Sequence, residues 1–187
     1  MTFEQVMENT KHVSAPDALQ DVECKALYDS LMKVSPGGIV VEIGCQLGRS
    51  SSIILQMQSV IGYHPIHIDP YTDQPEYMKG WIDMMWRLGD NREHEWTFMC
   101  MRSQQAEWLM SRIGEIDLAF VDGDHEYPTV IHDLHFVGDR IKRGGLLTAH
   151  DCANEGLPGV KQALTEYIDP RWHPIGMYGS FGVWLKR

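Results

Sequence analysis

The chain has 187 residues, 43% of them hydrophobic, and a formal net charge of −10. This length accommodates one domain with a buried core, and the negative charge disfavours nucleic acid as a partner. No apolar run approaches the roughly 20 residues of a membrane span, and the N-terminus lacks the features of a signal peptide. The four scattered cysteines form no Cys-x-x-Cys pair, which favours reduced thiols in a cytoplasmic protein over disulfides or a structural zinc site.

Helical and strand-like periodicities alternate along the chain. In chain order they predict a helix over 15–33, a strand over 39–43, a helix over 50–58, a strand over 65–69, a helix over 75–88, a strand over 96–101, a helix over 103–112, a strand over 116–121, a helix over 128–141, a strand over 146–149, a helix over 160–168, and strands over 172–177 and 181–186. Repeated strand–helix units predict a parallel sheet with helices on both faces, and the last two strands predict an antiparallel hairpin. The expected architecture is a single three-layer α/β domain, with a helical segment over 1–37 and a core over 38–187.

A glycine-bearing turn follows the first predicted strand. Gly44 and Gly48 let the backbone approach a ligand, and the helix that begins near Ser50 offers free N–H groups. The spacing lacks the third glycine of dinucleotide-binding turns. The carboxylate of Glu42 suits a cationic or hydroxyl-bearing ligand better than a diphosphate. We therefore predict that Glu42, Gly44, Gly48 and Ser50 contact a cofactor, and that a side chain added at Gly44 would occupy ligand space.

Polar residues follow the second and third predicted strands, where an open α/β sheet binds its ligands. Asp69 comes 25 residues after Gly44, close to the spacing at which a carboxylate binds ribose hydroxyls. The alternative is that Asp69 caps the turn before Pro70. Ser103 is a candidate cofactor contact, and equally a plain N-cap of the following helix.

Acidic and imidazole groups follow the fourth and fifth predicted strands. Asp122 and His125 come after the fourth strand, and His150 and Asp151 come after the fifth. Because these strands are expected to be neighbours, their polar residues should face one crevice. Two carboxylates and an imidazole suit a hard or borderline divalent cation, with Asp122, His150 and Asp151 as the candidate ligands. His125 is either a general base or a hydrogen-bond anchor for its loop.

Taken together, the glycine turn, the run Val121-Asp122-Gly123-Asp124-His125 and the pair His150-Asp151 resemble the class I S-adenosylmethionine-dependent methyltransferases. The similarity is to a small O-methyltransferase-like subgroup and covers about residues 38–185. It implies a Rossmann-like fold with a C-terminal antiparallel hairpin, with the methionine part of the cofactor at the turn and adenine near Ser103. It also places Asp122 near the cofactor. Metal-dependent relatives carry acidic ligands that match Asp122 and Asp151, whereas His150 stands where they have an acid.

The resemblance implies an enzyme that transfers a methyl group from S-adenosylmethionine to an oxygen of a small-molecule acceptor. A divalent cation such as Mg²⁺, Mn²⁺ or Ca²⁺ would lower the pKa of the acceptor hydroxyl, and His125 or His150 would take its proton. A metal-dependent hydrolase built on Asp122, His125 and Asp151 is an alternative that leaves the glycine turn without a role. A nicotinamide oxidoreductase is disfavoured by the missing glycine. A non-catalytic cofactor-binding protein is the fourth alternative.

Large apolar side chains are concentrated in the helix predicted over 75–88. Helical spacing assigns most of them to the core, but Trp81 and Trp86 add aromatic surface beyond what that face requires. This surface is expected to pack in the core, to line an acceptor pocket, or to form the contact of a homodimer.

Overall fold

A computed structural model describes residues 1–13, 18–72, 74–88 and 95–187 of the chain. The described elements, in chain order, are α1 (Phe3–Thr10), α2 (Asp21–Leu31), β1 (Ile39–Ile43), α3 (Arg49–Ile61), β2 (His64–Ile68), α4 (Pro75–Arg87), β3 (Thr97–Met99), α5 (Ser103–Met110), β4 (Ile116–Val121), α6 (Tyr127–Gly138), β5 (Ile141–Ala149), α7 (Pro158–Tyr167), β6 (Trp172–Tyr178) and β7 (Phe181–Lys186).

The strands form one seven-stranded sheet in the order β3-β2-β1-β4-β5-β7-β6. Strands β1 to β5 pair in parallel, whereas β7 pairs antiparallel with both β5 and β6. The predicted fold class, a mostly parallel sheet with a C-terminal antiparallel hairpin, is confirmed. The order reverses direction next to β1, which is where open α/β sheets bind their ligands.

Alternating residues of the strands pack into two apolar layers, one on each face of the sheet. Val40 and Leu118 belong to a cluster with apolar residues of α1, α2 and α3. Val41 and Ala119 belong to a second cluster with residues of α5, α6 and α7. Successive side chains of a strand point to opposite faces of a sheet, so these clusters mark the two helical layers.

Helix α4 packs beside the glycine turn in a smaller cluster that includes Cys45 and Tyr71. Trp81 is 2% exposed and stacks on Phe98, whereas Trp86 is 71% exposed. Core packing therefore accounts for Trp81. The prediction that Trp86 contributes to an acceptor pocket or a dimer contact remains open.

Several predicted boundaries are wrong. Helix α2 begins at Asp21 rather than at residue 15, and residues 14–17 lie outside the described parts of the chain. Helix α1 lies within the helical segment expected over 1–37, and it opens with a capping box between Thr2 and Gln5. Helix α6 ends at Gly138, and β5 begins at Ile141, where a helix had been expected.

Candidate active site

A cleft of about 1330 Å³ opens at the carboxyl ends of the parallel strands. Eight of the predicted site residues line it: Gly44, Ser50, Asp69, Ser103, Asp122, His125, His150 and Asp151. Glu42 and Gly48, both in described parts of the chain, lie outside this lining. The parallel arrangement explains the convergence, because the loops after β1, β2, β4 and β5 all emerge at the same edge of the sheet.

The glycine turn has a backbone shape that depends on residues with positive φ. Gly44 has a φ of 87° and Gly48, the N-cap of α3, has a φ of 94°. A Cβ atom at Gly44 would lie 1.9 Å from the backbone oxygen of Asp122, so that space belongs to the protein and not to a ligand. A Cβ atom at Gly48 would lie 2.5 Å from the side chain of Met84. Close packing of the protein itself therefore requires Gly44, whereas at Gly48 the positive φ is the main constraint, because the end of the Met84 side chain can move.

The carboxylate of Asp69 fixes this turn. Its Oδ2 accepts hydrogen bonds from the backbone N–H groups of Cys45 (2.8 Å) and Gln46 (3.1 Å), and its Oδ1 accepts one from Tyr71 (2.9 Å). Burial raises the pKa of Asp69, against the opposing effect of these three bonds. The capping interpretation of Asp69 thus has a structural basis. The ribose contact stays a prediction for a residue that also lines the cleft.

Asp69→Asn is expected to weaken the binding of S-adenosylmethionine by about tenfold or more and to lower the melting temperature. An amide NH₂ group would face backbone N–H donors in either orientation, which leaves a buried donor unsatisfied at about 1–3 kcal/mol. Titration calorimetry and thermal unfolding measure the two effects. Asp83→Asn, which removes an exposed carboxylate on α4, is the control. Reduced stability with unchanged affinity would contradict the ribose role and leave only the capping role.

Glu42 lies beneath the glycine turn. Its side chain is fully buried, and its Oε2 accepts a hydrogen bond from Ser51 Oγ and lies 2.6 Å from His67 Nδ1. Ser51 is on α3, so Glu42 faces the same helical layer as Val40. The structure therefore separates Glu42 from the cleft-lining residues with which the sequence grouped it.

Two serines lie in the first turns of the helices that follow β1 and β3. Ser50 is buried in the first turn of α3 and lines the cleft. Ser103 is the first residue of α5, and its hydroxyl donates a hydrogen bond to Asp133 on α6. Burial raises the pKa of Asp133 to about 6. Asp133, which the sequence did not suggest, therefore buttresses the cleft wall through Ser103.

His150 is enclosed by three carboxylates. Its Nδ1 lies 3.3 Å from both Asp122 Oδ1 and Asp151 Oδ2, and its Nε2 lies 3.1 Å from Glu23 Oε2. Burial lowers the pKa of His150, but the bonds with Asp122 and Asp151 outweigh burial and raise the pKa to about 11. Both ring nitrogens of His150 therefore have carboxylate partners, and its roles as a cation ligand and as a proton acceptor stay predictions.

The remaining groups form a compact cluster at the mouth of the cleft. Asp122, His125 and Asp151 each present one donor atom, and these three atoms lie within 4.8 Å of one another. His125 Nε2 is 3.0 Å from Asp151 Oδ2, and the hydrogen bond with Asp151 raises the pKa of His125. Burial raises the pKa of Asp151, but its bonds with His125, His150 and Asn154 prevail and hold that pKa far below its ordinary value. Burial raises the pKa of Asp122 to about 6.

The sequence did not reveal Glu23 and Ser180 as site residues. Glu23 Oε1 accepts hydrogen bonds from the backbone N–H and the hydroxyl of Ser180, at 2.8 and 2.9 Å. A Cβ atom at Gly179 would lie 2.7 Å from the same carboxylate oxygen. Glu23 is on α2 and Ser180 is in the turn between β6 and β7. Both are distant from His150 in the sequence, so only the tertiary fold brings the three residues together.

Comparison with protein families identifies the chain. A family described as a methyltransferase domain matches residues 41–152, which is more than half of the chain. The chain belongs to this methyltransferase family. The match begins in β1 and ends just after Asp151, so it includes the glycine turn, Asp69 and the Asp122–His125–Asp151 cluster. The predicted recognition of a methyltransferase is confirmed, and the hydrolase alternative has no comparable support.

Solved structures share the fold of this methyltransferase domain at low sequence identity. CalS11, a TDP-rhamnose 3′-O-methyltransferase of calicheamicin biosynthesis, is 15% identical with a TM-score of 0.71 over 97% of this chain and 93% of its own. An O-methyltransferase from Bacillus cereus in complex with SAH is 12% identical, with a TM-score of 0.70 over 98% and 90% of the two chains. TomG from Streptomyces achromogenes, in complex with SAM, is 15% identical, with a TM-score of 0.68 over 98% and 88%.

Two further findings delimit the comparison. No curated protein matches the methyltransferase chain. Among the described residues, none of the helices has the length and apolar character needed to span a membrane.

Proposed function

We propose that this methyltransferase domain transfers the methyl group of S-adenosylmethionine to an oxygen atom of a small-molecule acceptor. One observation carries the proposal: a single cleft is lined both by the glycine turn and Asp69 and by the Asp122–His125–Asp151 cluster. The cofactor supplies an electrophilic methyl group, so the protein has to align that group with the acceptor and assist loss of the acceptor proton. CalS11 and TomG are O-methyltransferases of biosynthetic reactions, which supports this reaction class.

The cofactor end of the cleft fits a nucleoside with a charged tail. Asp69 reaches the cleft beside β2, where its carboxylate can accept hydrogen bonds from ribose hydroxyls. Ser50 and the N-terminal turn of α3 offer donors for the carboxylate of the methionine part. The region around Ser103, after β3, is the proposed position of adenine. Complexes of the Bacillus cereus enzyme and TomG with SAH and SAM support this choice of cofactor.

The acceptor end fits a divalent cation. Two carboxylates and one imidazole within 4.8 Å provide oxygen and nitrogen donors, and the cluster is open to the cleft. We assign Asp122, His125 and Asp151 as the cation ligands, with a preference for Mg²⁺ or Mn²⁺. A cation at this position supplies positive charge that favours the deprotonated form of an acceptor hydroxyl. His150, held between Asp122, Asp151 and Glu23, orients both carboxylates rather than binding the cation.

One specific contact favours a version of the same reaction that needs no metal ion. The 3.0 Å pair of His125 Nε2 and Asp151 Oδ2 is the arrangement in which a carboxylate orients an imidazole base. In this variant the acceptor hydroxyl transfers its proton to His125. The two versions share the cofactor site and differ only in how the acceptor proton is removed.

Binding of S-adenosylmethionine or its demethylated product is expected to raise the melting temperature. At about 100 times the Kd, linkage contributes about 2.7 kcal/mol, which corresponds to a shift of roughly 5–10 °C for a domain of this size. Differential scanning fluorimetry and titration calorimetry measure the effect. NAD at the same concentration is the control. The proposed cofactor would be overturned if NAD raised the melting temperature while neither S-adenosylmethionine nor its demethylated product did so.

A further inference from the structure

A second group of potential metal ligands lies inside the protein, behind the glycine turn, and only its Cys45 also belongs to the cleft lining. Glu42 on β1, Cys45 in the glycine turn and His67 on β2 are all buried, with exposures of 0%, 2% and 0%. One donor atom of each lies within 4.8 Å of the other two. Glu42 and His67 are register partners in the parallel pairing of β1 and β2, so the sheet itself holds these two side chains together.

Two polar atoms of this group lack hydrogen-bond partners among the described residues. They are Oε1 of Glu42 and Nε2 of His67, and both are inaccessible to solvent. The indole N–H of Trp81, whose ring lies edge-on to the ring of His67, is unpartnered in the same way. A buried polar atom without a partner costs about 1–3 kcal/mol, and a buried carboxylate costs more. The unpartnered oxygen of Glu42, buried beside a thiol and an imidazole, indicates that a ligand completes the site.

We propose that Glu42, Cys45 and His67 bind one zinc ion beneath the glycine turn. The proposal concerns metal binding alone and does not depend on methyl transfer.

The donor set favours zinc over the harder cations. A thiolate, an imidazole and a carboxylate are the three ligand types that zinc sites use, whereas Mg²⁺ and Ca²⁺ prefer oxygen ligands only. The charges also balance, because one Zn²⁺ ion with one thiolate, one carboxylate and a neutral imidazole gives a net charge of zero. A neutral cluster is the form of an ion site that a fully buried position tolerates best.

Zinc binding requires a small local rearrangement. Glu42 Oε2 and His67 Nδ1 are 2.6 Å apart, which is a hydrogen-bonding distance. Two ligand atoms of a tetrahedral zinc site stand about 3.3 Å apart, given bonds of about 2.0 Å to nitrogen and oxygen. On binding, the Cys45 thiol releases its proton and the imidazole binds as the neutral base. The unpartnered Oε1 gives Glu42 a second oxygen with which to fill the fourth position.

The hydroxyl of Ser51 contacts the same carboxylate oxygen that faces His67. Ser51 Oγ donates a 2.6 Å hydrogen bond to Glu42 Oε2, and Ser51 is itself fully buried on α3. Outer hydrogen bonds of this kind orient metal ligands. A zinc ion here would connect β1, β2, α3 and the glycine turn at one point.

The test measures zinc in the untagged full-length chain, expressed with added zinc so that the ion is present during folding. Inductively coupled plasma mass spectrometry after gel filtration should find about one zinc per chain, as one three-residue site implies. Cys45→Ser and His67→Gln should lose this zinc. Cys24→Ser, which alters another buried thiol, and Asp151→Ala, which alters the cleft cluster, should both retain it.

A spectroscopic measurement on the unchanged chain makes the test independent of how the variants fold. Cobalt substituted for zinc should give the near-ultraviolet absorption of a thiolate–cobalt bond. The proposal is overturned if the unchanged chain retains no more zinc than Cys45→Ser and shows no such band. It is equally overturned if Asp151→Ala removes the zinc, because the ion would then belong to the cleft. Methyl transfer can fail or succeed without affecting either result.

Discussion

Asp151→Asn is expected to reduce methyl transfer by about 100- to 10,000-fold while cofactor binding stays within a few-fold of the unchanged enzyme. The carboxylate of Asp151 contacts both His125 and His150, so its charge serves either version of acceptor activation. Asparagine is the appropriate replacement because Asp151 has a φ of 56°, a backbone conformation that asparagine tolerates well. Steady-state turnover and titration calorimetry with S-adenosylmethionine provide the two measurements.

Asp139→Asn is the matched control. Asp139 Oδ2 lies 3.2 Å from His135 Nδ1, which makes a second histidine–aspartate pair, on the surface at the end of α6. Its replacement should leave turnover within a few-fold of the unchanged enzyme. If Asp151→Asn were as active as Asp139→Asn, neither the cation nor the oriented base would be part of the reaction.

Chelation separates the two versions of acceptor activation. If the cation is required, a chelator abolishes turnover, added Mn²⁺ or Mg²⁺ restores it, and cofactor binding persists because its proposed contacts follow β1, β2 and β3. If turnover survives chelation, His125 is the base, and the rate should rise with pH as the imidazole loses its proton. The midpoint should then lie above the ordinary histidine value of 6.5, because the hydrogen bond with Asp151 raises the pKa of His125.

Gly44→Ala is expected to destabilise the protein by about 3 kcal/mol or more, a fall in melting temperature of roughly 6–12 °C. The added Cβ would lie 1.9 Å from the backbone oxygen and 2.4 Å from the backbone carbon of Asp122, and backbone atoms cannot move aside as the end of a flexible side chain can. The φ of 87° adds strain for any residue with a side chain. Thermal and urea unfolding measure the loss.

Gly62→Ala isolates the strain from the clash. Gly62 has a φ of 83°, and a Cβ atom there would meet no described atom within 4 Å. This variant should lose only about 1–2 kcal/mol, the cost of the left-handed conformation. Equal losses in the two variants would show that contact between the glycine turn and the Asp122 loop is not tight.

The sequence predicted the interior strands well because burial on both faces produces continuous apolar runs. The bounds of β1 and β4 coincide with the predictions. The prediction fails between α6 and β5, where the sequence favours a helix that continues to residue 141 and a strand that begins only at residue 146. In the structure Ile141 pairs with Ile116, and Lys142 bonds to Asp117 across an irregularity in the β4–β5 pairing. Such long-range pairs leave no local signal.

The sequence predicts the candidate-site residues that come directly after a strand. It does not predict those that come from a distant helix or turn. Asp69, Asp122 and Asp151 were found because every parallel strand delivers its next residues to the same edge. Glu42 was placed with them, although its position within β1 puts it on the face of Val40, a periodicity that the sequence does contain. Glu23 carried no such signal, since it lies 127 residues from its partner His150.

The position of Glu23 bears on how small a working enzyme of this kind can be made. The stretch that identifies the family, residues 41–152, contains His150 but neither Glu23 nor Ser180. A fragment trimmed to that stretch would carry every recognisable motif and yet leave a buried histidine beside two aspartates without its third carboxylate. The stretch that identifies the family is therefore shorter than the stretch that completes the surroundings of this histidine, which extends from Glu23 to Ser180.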